Sequence, residues 1–190
     1  MGVSPRWLCE ICARSHVQQP WPREGIIDLL VQRSSGQFIY AATVLKFVGA
    51  DFCRPTKQLA LVLKPDLTAF SDLDQLYTQI LSVYPSAMNI VEVLGIIIAS
   101  DENSPDVIED ILGIEEGELK LVLCGLSSLM KDEIDENRAY VIPYFVHASF
   151  GDYLFDSSRS GPFHVNRQEY KNQLTIRSFE LIMQLIRSWR

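Results

Sequence analysis

His147, Ser149 and Asp152 place an imidazole, a hydroxyl and a carboxylate within one short stretch of the chain. These are the groups of a hydrolytic triad, in which nucleophile, base and orienter must converge on one point. Here they lie along a single strand-to-helix junction, too close in sequence to converge, and no G-x-S-x-G elbow accompanies them. His147 itself follows a stretch rich in β-formers, Ala139–Val146, and precedes Ser149-Phe150-Gly151-Asp152, which has the form of a capping box. Two readings stay open for it. It is a part-buried histidine packed at a strand end, or an imidazole beside the exposed N–H groups of a helix N-terminus, a corner suited to phosphate. Ser149 and Asp152 compete for the same N–H groups, and Asp152 would repel an anion.

Cys9 and Cys12 form C-x-x-C, with His16 close behind, but no second pair stands at zinc-finger spacing. Cys53 and Cys124 are far away, so the cysteines read as free thiols and no metal site is expected. No G-x-x-x-x-G-K-S/T phosphate loop and no G-x-G-x-x-G occur. His16 and His164 stand in polar or turn surroundings and take no role.

The elements that position His147 are legible from period and punctuation. Ser86–Ala99 is apolar on nearly every side (Met88, Ile90, Val93, Leu94, Ile97), which predicts a buried helix. Ser104-Pro105-Asp106 supplies an N-cap, a first-turn proline and an acid, and Gly113 a stop. A third helix is predicted from Glu115 through Leu119, Val122, Leu123, Leu126, Leu129 and Met130. After the polar turn Asp135–Arg138 comes the β-rich stretch. Helix, short helix, turn, helix and ribbon make the pattern of a winged helix-turn-helix.

Upstream, Glu24–Arg33, Gln37–Val48 and a shorter helix from Arg54-Pro55 to Leu63, closed by Lys64-Pro65-Asp66, read as a small helical bundle. A helix begins at Phe70-Ser71-Asp72, carries Leu73, Leu76, Tyr77, Ile80 and Leu81 on one stripe, and breaks at Pro85. Downstream, a helix is expected through Tyr153, Leu154 and Phe155. A turn-rich link, Ser157–Pro162, leads to a last helix from about Arg167 to Arg190. The predicted fold is therefore mainly α: a small helical bundle, then a winged-helix domain with a short β-ribbon, then a C-terminal helix. The apolar stripe of that last helix predicts self-association or a continuing chain.

The net charge of −7 disfavours nucleic acid, whose binding starts from neutralised phosphates, and disfavours an anionic membrane surface. Glu115, Glu116, Glu118, Asp132, Glu133, Asp135 and Glu136 outnumber Lys120, Lys131 and Arg138 where a DNA-binding winged helix would touch a duplex. A DNA-binding role is accordingly the weakest alternative. Arg6 stands where a myristoylation motif wants Ser or Thr. No signal peptide or membrane span is evident, and a reduced, cytoplasmic setting is expected.

Leu30–Val48 (LVQRSSGQFIYAATVLKFV), Phe70–Pro85 (FSDLDQLYTQILSVYP), Ile108–Leu129 (IEDILGIEEGELKLVLCGLSSL), Val146–Phe155 (VHASFGDYLF) and Ser158–Asn166 (SRSGPFHVN) together resemble fungal NACHT-type NTPases of the STAND class, relatives of NOD-like receptors. The resemblance covers nearly all of residues 21–190. It implies a small helical domain at 21–66, a winged-helix domain at 67–160 and the start of a further helical region at 163–190. Residues 1–20 fall outside it as a poorly ordered segment. In that class these domains follow a P-loop nucleotide-binding core, and a winged-helix histidine contacts the phosphates of bound ADP. His147 best matches that histidine. Gly151 departs from the pattern, where a larger, often basic residue is expected. The P-loop, its lysine and the magnesium-binding acidic motif are not in this sequence. The resemblance therefore implies a regulatory piece of a signalling NTPase, not an enzyme by itself. It would close over ADP or ATP held by a core this chain lacks. The alternative is a stand-alone protein-interaction module.

Overall fold

The computed structural model describes residues 21–50, 54–64, 71–83, 90–100, 104–134 and 141–188. The Cys9–Cys12–His16 pattern, Cys53, the stop at Pro65-Asp66, Phe70, the break at Pro85, Met88 and the turn Asp135–Arg138 lie outside the described residues. The described chain is mainly helical, with one two-stranded antiparallel sheet. It divides into two compact units, Met1–Ile80 and Leu81–Arg190. Among the described residues no helix is long and apolar enough to cross a membrane.

In the first unit, α1 (Ile26–Ser34) ends at Ser35 and Gly36, both at positive φ. There α2 (Phe38–Val48) begins, and it buries Tyr40, Val44, Phe47 and Val48 along one face. Pro55 occupies the first position of α3 (Pro55–Val62), where its missing N–H costs nothing. Polar ties join these helices. The Arg33 guanidinium donates to the Val62 carbonyl at 2.9 Å and lies 3.9 Å from Asp72. It also faces the Tyr40 hydroxyl, whose pKa burial pushes up and Arg33 partly restrains. In α4 (Asp72–Leu81), Leu73, Leu76, Tyr77, Ile80 and Leu81 are all buried, as the stripe requires. Ser71 caps this helix by accepting from the Asp74 N–H at 3.1 Å. Gln75 and Gln79 both donate to the Lys64 carbonyl, which satisfies an acceptor just past the end of α3.

In the second unit, α5 (Ile90–Ala99) buries Ile90, Val93, Leu94, Gly95, Ile96, Ile97 and Ala99, as its all-round apolar surface demands. In α6 (Pro105–Leu112), Ser104 accepts from the Val107 N–H at 3.3 Å, and Gly113 at φ 67° stops the helix. The next helix corrects expectation. α7 (Glu118–Gly125) ends well before Met130. Gly125 is a poor helix former and two serines follow, so the chain turns over Leu126–Leu129. The Leu129 and Met130 N–H groups both return to the Leu126 carbonyl. Leu119, Val122, Leu123, Leu126, Leu129 and Met130 are nonetheless all buried. The spacing reported burial correctly and helix length incorrectly.

Met130 opens β1 (Met130–Ile134), which pairs antiparallel with β2 (Val141–Phe145) from Met130↔Phe145 to Ile134↔Val141. Pro143 is tolerated in β2 because each strand of a two-stranded sheet is an edge. The link expected at Ser157–Pro162 is more regular than a turn. α8 (Ala148–Phe155) is followed by one helical turn, α9 (Ser157–Ser160), and a 3-10 turn at Gly161–Phe163. Asp156 caps α9, and the hydrogen bonds from Ser158 hold its carboxyl below the usual carboxylate range.

The last helix, α10 (Arg167–Ser188), packs against α5 and α6. Its Tyr170 ring lies over Gly95, where a Cβ would come within 2.5 Å of the ring carbons. Arg177 pairs with Glu92 at 2.5 Å and donates to the Ile111 carbonyl at 3.2 Å.

Candidate functional site

β2 delivers the chain to His147, and three aromatic rings fix that delivery. Phe145 meets Phe150 edge-on at 5.3 Å, and Phe150 lies parallel to Tyr153 at 6.3 Å. Phe150 and Tyr153 are fully buried on α8. Gly151 makes the approach possible, because a Cβ there would stand 3.0 Å from the Phe145 ring. A larger residue at position 151 would displace Phe145. The Val146 N–H donates to the Leu129 carbonyl at 2.9 Å and so ties the junction to the turn after α7.

His147 is the N-cap of α8, with extended backbone (φ −148°, ψ 141°). The expected capping box is therefore not the cap in use. The helix begins at Ala148, so Ser149 already lies inside the first turn and cannot be its N-cap. The imidazole does the capping instead: Nδ1 accepts from the Ser149 N–H at 3.1 Å and lies 2.7 Å from the Ser149 hydroxyl. A backbone N–H can only donate, so Nδ1 must accept, and a neutral ring then carries its proton on Nε2. Nε2 has no partner among the described residues, and the side chain is exposed. Between the two readings of His147, the structure places an exposed ring with one engaged nitrogen and one open donor.

Of the three triad residue types, the structure brings two together. No hydrogen bond or ion pair among the described residues joins Asp152 to His147 or Ser149, and Asp152 is exposed on α8. The Nδ1 lone pair that would take a serine proton already receives the Ser149 N–H, which leaves it poorly placed as a general base. The first N–H groups of α8 are largely engaged as well: Ser149 by the imidazole and Phe150 by the His147 carbonyl. An anion at this corner would thus be met chiefly by Nε2–H.

Sequence reasoning missed Glu109. Its side chain on α6 is buried, and Oε1 accepts from the N–H groups of Gly117 at 2.9 Å and Leu119 at 3.0 Å. It caps α7 from the preceding helix and so ties the two helices together. The available signal was an acid between Ile108 and Ile111 on a face that is otherwise apolar. Ser128 was missed too; its hydroxyl is buried in the turn before β1 and has no hydrogen-bond partner among the described residues. Among the described residues no cluster of His, Cys, Asp and Glu could hold a metal ion.

A scan against models of known protein families finds no match, and searches of curated proteins and of solved structures find none either.

Proposed function

We propose that this chain is the regulatory part of a NACHT-type signalling NTPase. A small helical domain and a winged-helix domain close over ADP or ATP held by a P-loop core whose motif this sequence lacks. Within this reading, α6 and α7 are the helix-turn-helix, β1 and β2 the wing, and α10 the start of a further helical region. The observation that carries it is the exposed His147 at the end of β2, with Nδ1 engaged by Ser149 and Nε2–H open. The sequence resemblance selects the same residue for the diphosphate contact. The setting is cytoplasmic, and the partners are the P-loop core and other protein modules.

The exposed Glu115 and Glu116 just ahead of α7 and the exposed Leu121 on it argue against a duplex as partner. A stand-alone interaction module is the second reading, favoured by the apolar residues exposed on α10.

Sequencing the full-length transcript tests the proposal. An in-frame G-x-x-x-x-G-K-S/T ahead of residue 21 supports it, and a transcript without one favours the interaction module. Phosphoryl transfer needs a phosphate cradle, a lysine and a held magnesium ion. The purified chain is accordingly expected to turn over neither ATP nor GTP above a blank. Turnover abolished by one substitution within these residues would contradict the assignment.

A further inference from the structure

α10 docks on α5 and α6 through a face that buries no described side chain completely. Tyr170, Gln173, Leu174, Arg177, Ser178 and Leu181 form that face at three-and-four spacing, and each is half-buried. Every other described side chain of the helix is exposed. Gln173, Arg177 and Ser178 make the face as polar as an interface between parts that move, not a core. Its two specific ties are releasable. The Tyr170 ring lies on Gly95, which has no side chain to interlock with it. Arg177 reaches Glu92 and the Ile111 carbonyl with 32% of its side chain still exposed, so water can take over both partners. The chain just ahead is held differently. Val165 is buried and its N–H donates to the Leu154 carbonyl at 2.9 Å. Arg167 lies over the Phe155 ring of α8 at 5.1 Å. The helix is thus pinned at its first turn and loosely docked beyond it.

We propose that α10 is a strap. From Tyr170 onward it lifts off α5 and α6 as one unit, pivoting at its first turn, while the rest of Leu81–Arg190 stays folded. Opening removes a ring from a glycine, breaks a part-exposed ion pair and frees one carbonyl. Global unfolding must instead bring out Leu94, Ile96, Phe150, Tyr153 and Leu154, which have almost no exposed surface. A segment with few fully buried contacts opens at lower free energy than the core it leaves. The released helix has no packed face to stabilise it and is marginal in water, so its amides exchange while the strap is off. Opening also uncovers Gly95 and Glu92 on α5. The unit then has two states, and a binding event that favours one of them shifts the balance. This inference does not depend on the nucleotide reading.

Amide hydrogen exchange of the full chain, followed residue by residue at low urea concentrations, is the test. The amides from Leu174 to Leu181 are expected to share one opening equilibrium with one urea dependence. They should open at least about tenfold more often than the amides of α5 and α8. Arg177→Met, which keeps the stem and loses both polar ties, should raise that opening about two- to tenfold and leave α5 and α8 as in wild type. Exchange of α10 at the rate of α5 overturns the proposal, because the helix then opens only with the whole unit. Rates that climb steadily from Leu174 to Leu181 overturn it too, since they show fraying from one end. So does an Arg177→Met variant that speeds α5 and α8 as much as α10.

Discussion

Replacing Leu126 by alanine is expected to destabilise the unit Leu81–Arg190 by about 2–5 kcal/mol, the range for a buried leucine truncation. Leu126 has no exposed surface. It follows α7 directly, and its carbonyl receives the N–H groups of Leu129 and Met130 at 2.7 and 2.8 Å. The side chain therefore anchors the point where helix becomes strand, and a cavity there cannot collapse without moving one or the other. The same helix offers a control. Leu121 is 72% exposed, so Leu121→Ala should change stability by no more than about 0.5 kcal/mol. Chemical denaturation of both variants reads the contrast. Equal and small losses would show that the core does not close on Leu126.

Gly95→Ala is the second large effect, and its sign runs against helix propensity. In a helix interior alanine normally gains about 0.5–1 kcal/mol over glycine. At position 95 the added Cβ would stand 2.5 Å from the Tyr170 ring, so α10 must shift or the ring must turn out of its packing. Overpacking of this kind costs about 1–3 kcal/mol, which outweighs the propensity gain. Arg177 adds to the loss, because its links to Glu92 and to the Ile111 carbonyl hold only at the present helix spacing. Burial, with Glu92 nearby, already pushes the Tyr170 hydroxyl above its usual pKa, as a ring held against the helix should show. The check is a double-mutant cycle with Tyr170→Leu. The smaller side chain should recover much of the loss, whereas strictly additive effects would mean that the two residues do not collide.

Much of this architecture was readable from residue types, and the failures have physical causes. Ser104, Pro105 and Gly113 bound α6 where capping chemistry places them, because each acts within its own turn. The stripe on α4 and the all-round burial of α5 were equally local signals. The end of α7 was not. Leu126, Leu129 and Met130 continue a helical spacing, yet they are buried from a turn and a strand, since several backbone paths put the same residues into one core. The cap of α8 was misassigned for a related reason. Ser149 is a strong N-cap type, but the helix begins earlier and the imidazole of His147 takes the role. Position 147 was legible as a candidate; which nitrogen stays open was not, because that follows from a single backbone N–H meeting Nδ1. Glu109 escaped notice because the groups it caps lie on the next helix.

The regulatory account stands most directly on His147. Under the proposal, Nε2–H would donate to a diphosphate while Nδ1 stays tied to Ser149, so the ring would meet the ligand already oriented. A hydrogen bond to a charged group contributes about 1.5–3 kcal/mol, which corresponds to about one to two decades in retention of ADP. The measurement is the rate of ADP release from a chain that carries a P-loop core ahead of residue 21, with wild type and His147→Ala compared. The account predicts release about ten- to a hundredfold faster in the variant, with melting of the nucleotide-free protein lowered by no more than the loss of a helix cap. Unchanged release, accompanied by a large fall in thermal stability, would contradict it and leave His147 as the cap of α8 alone.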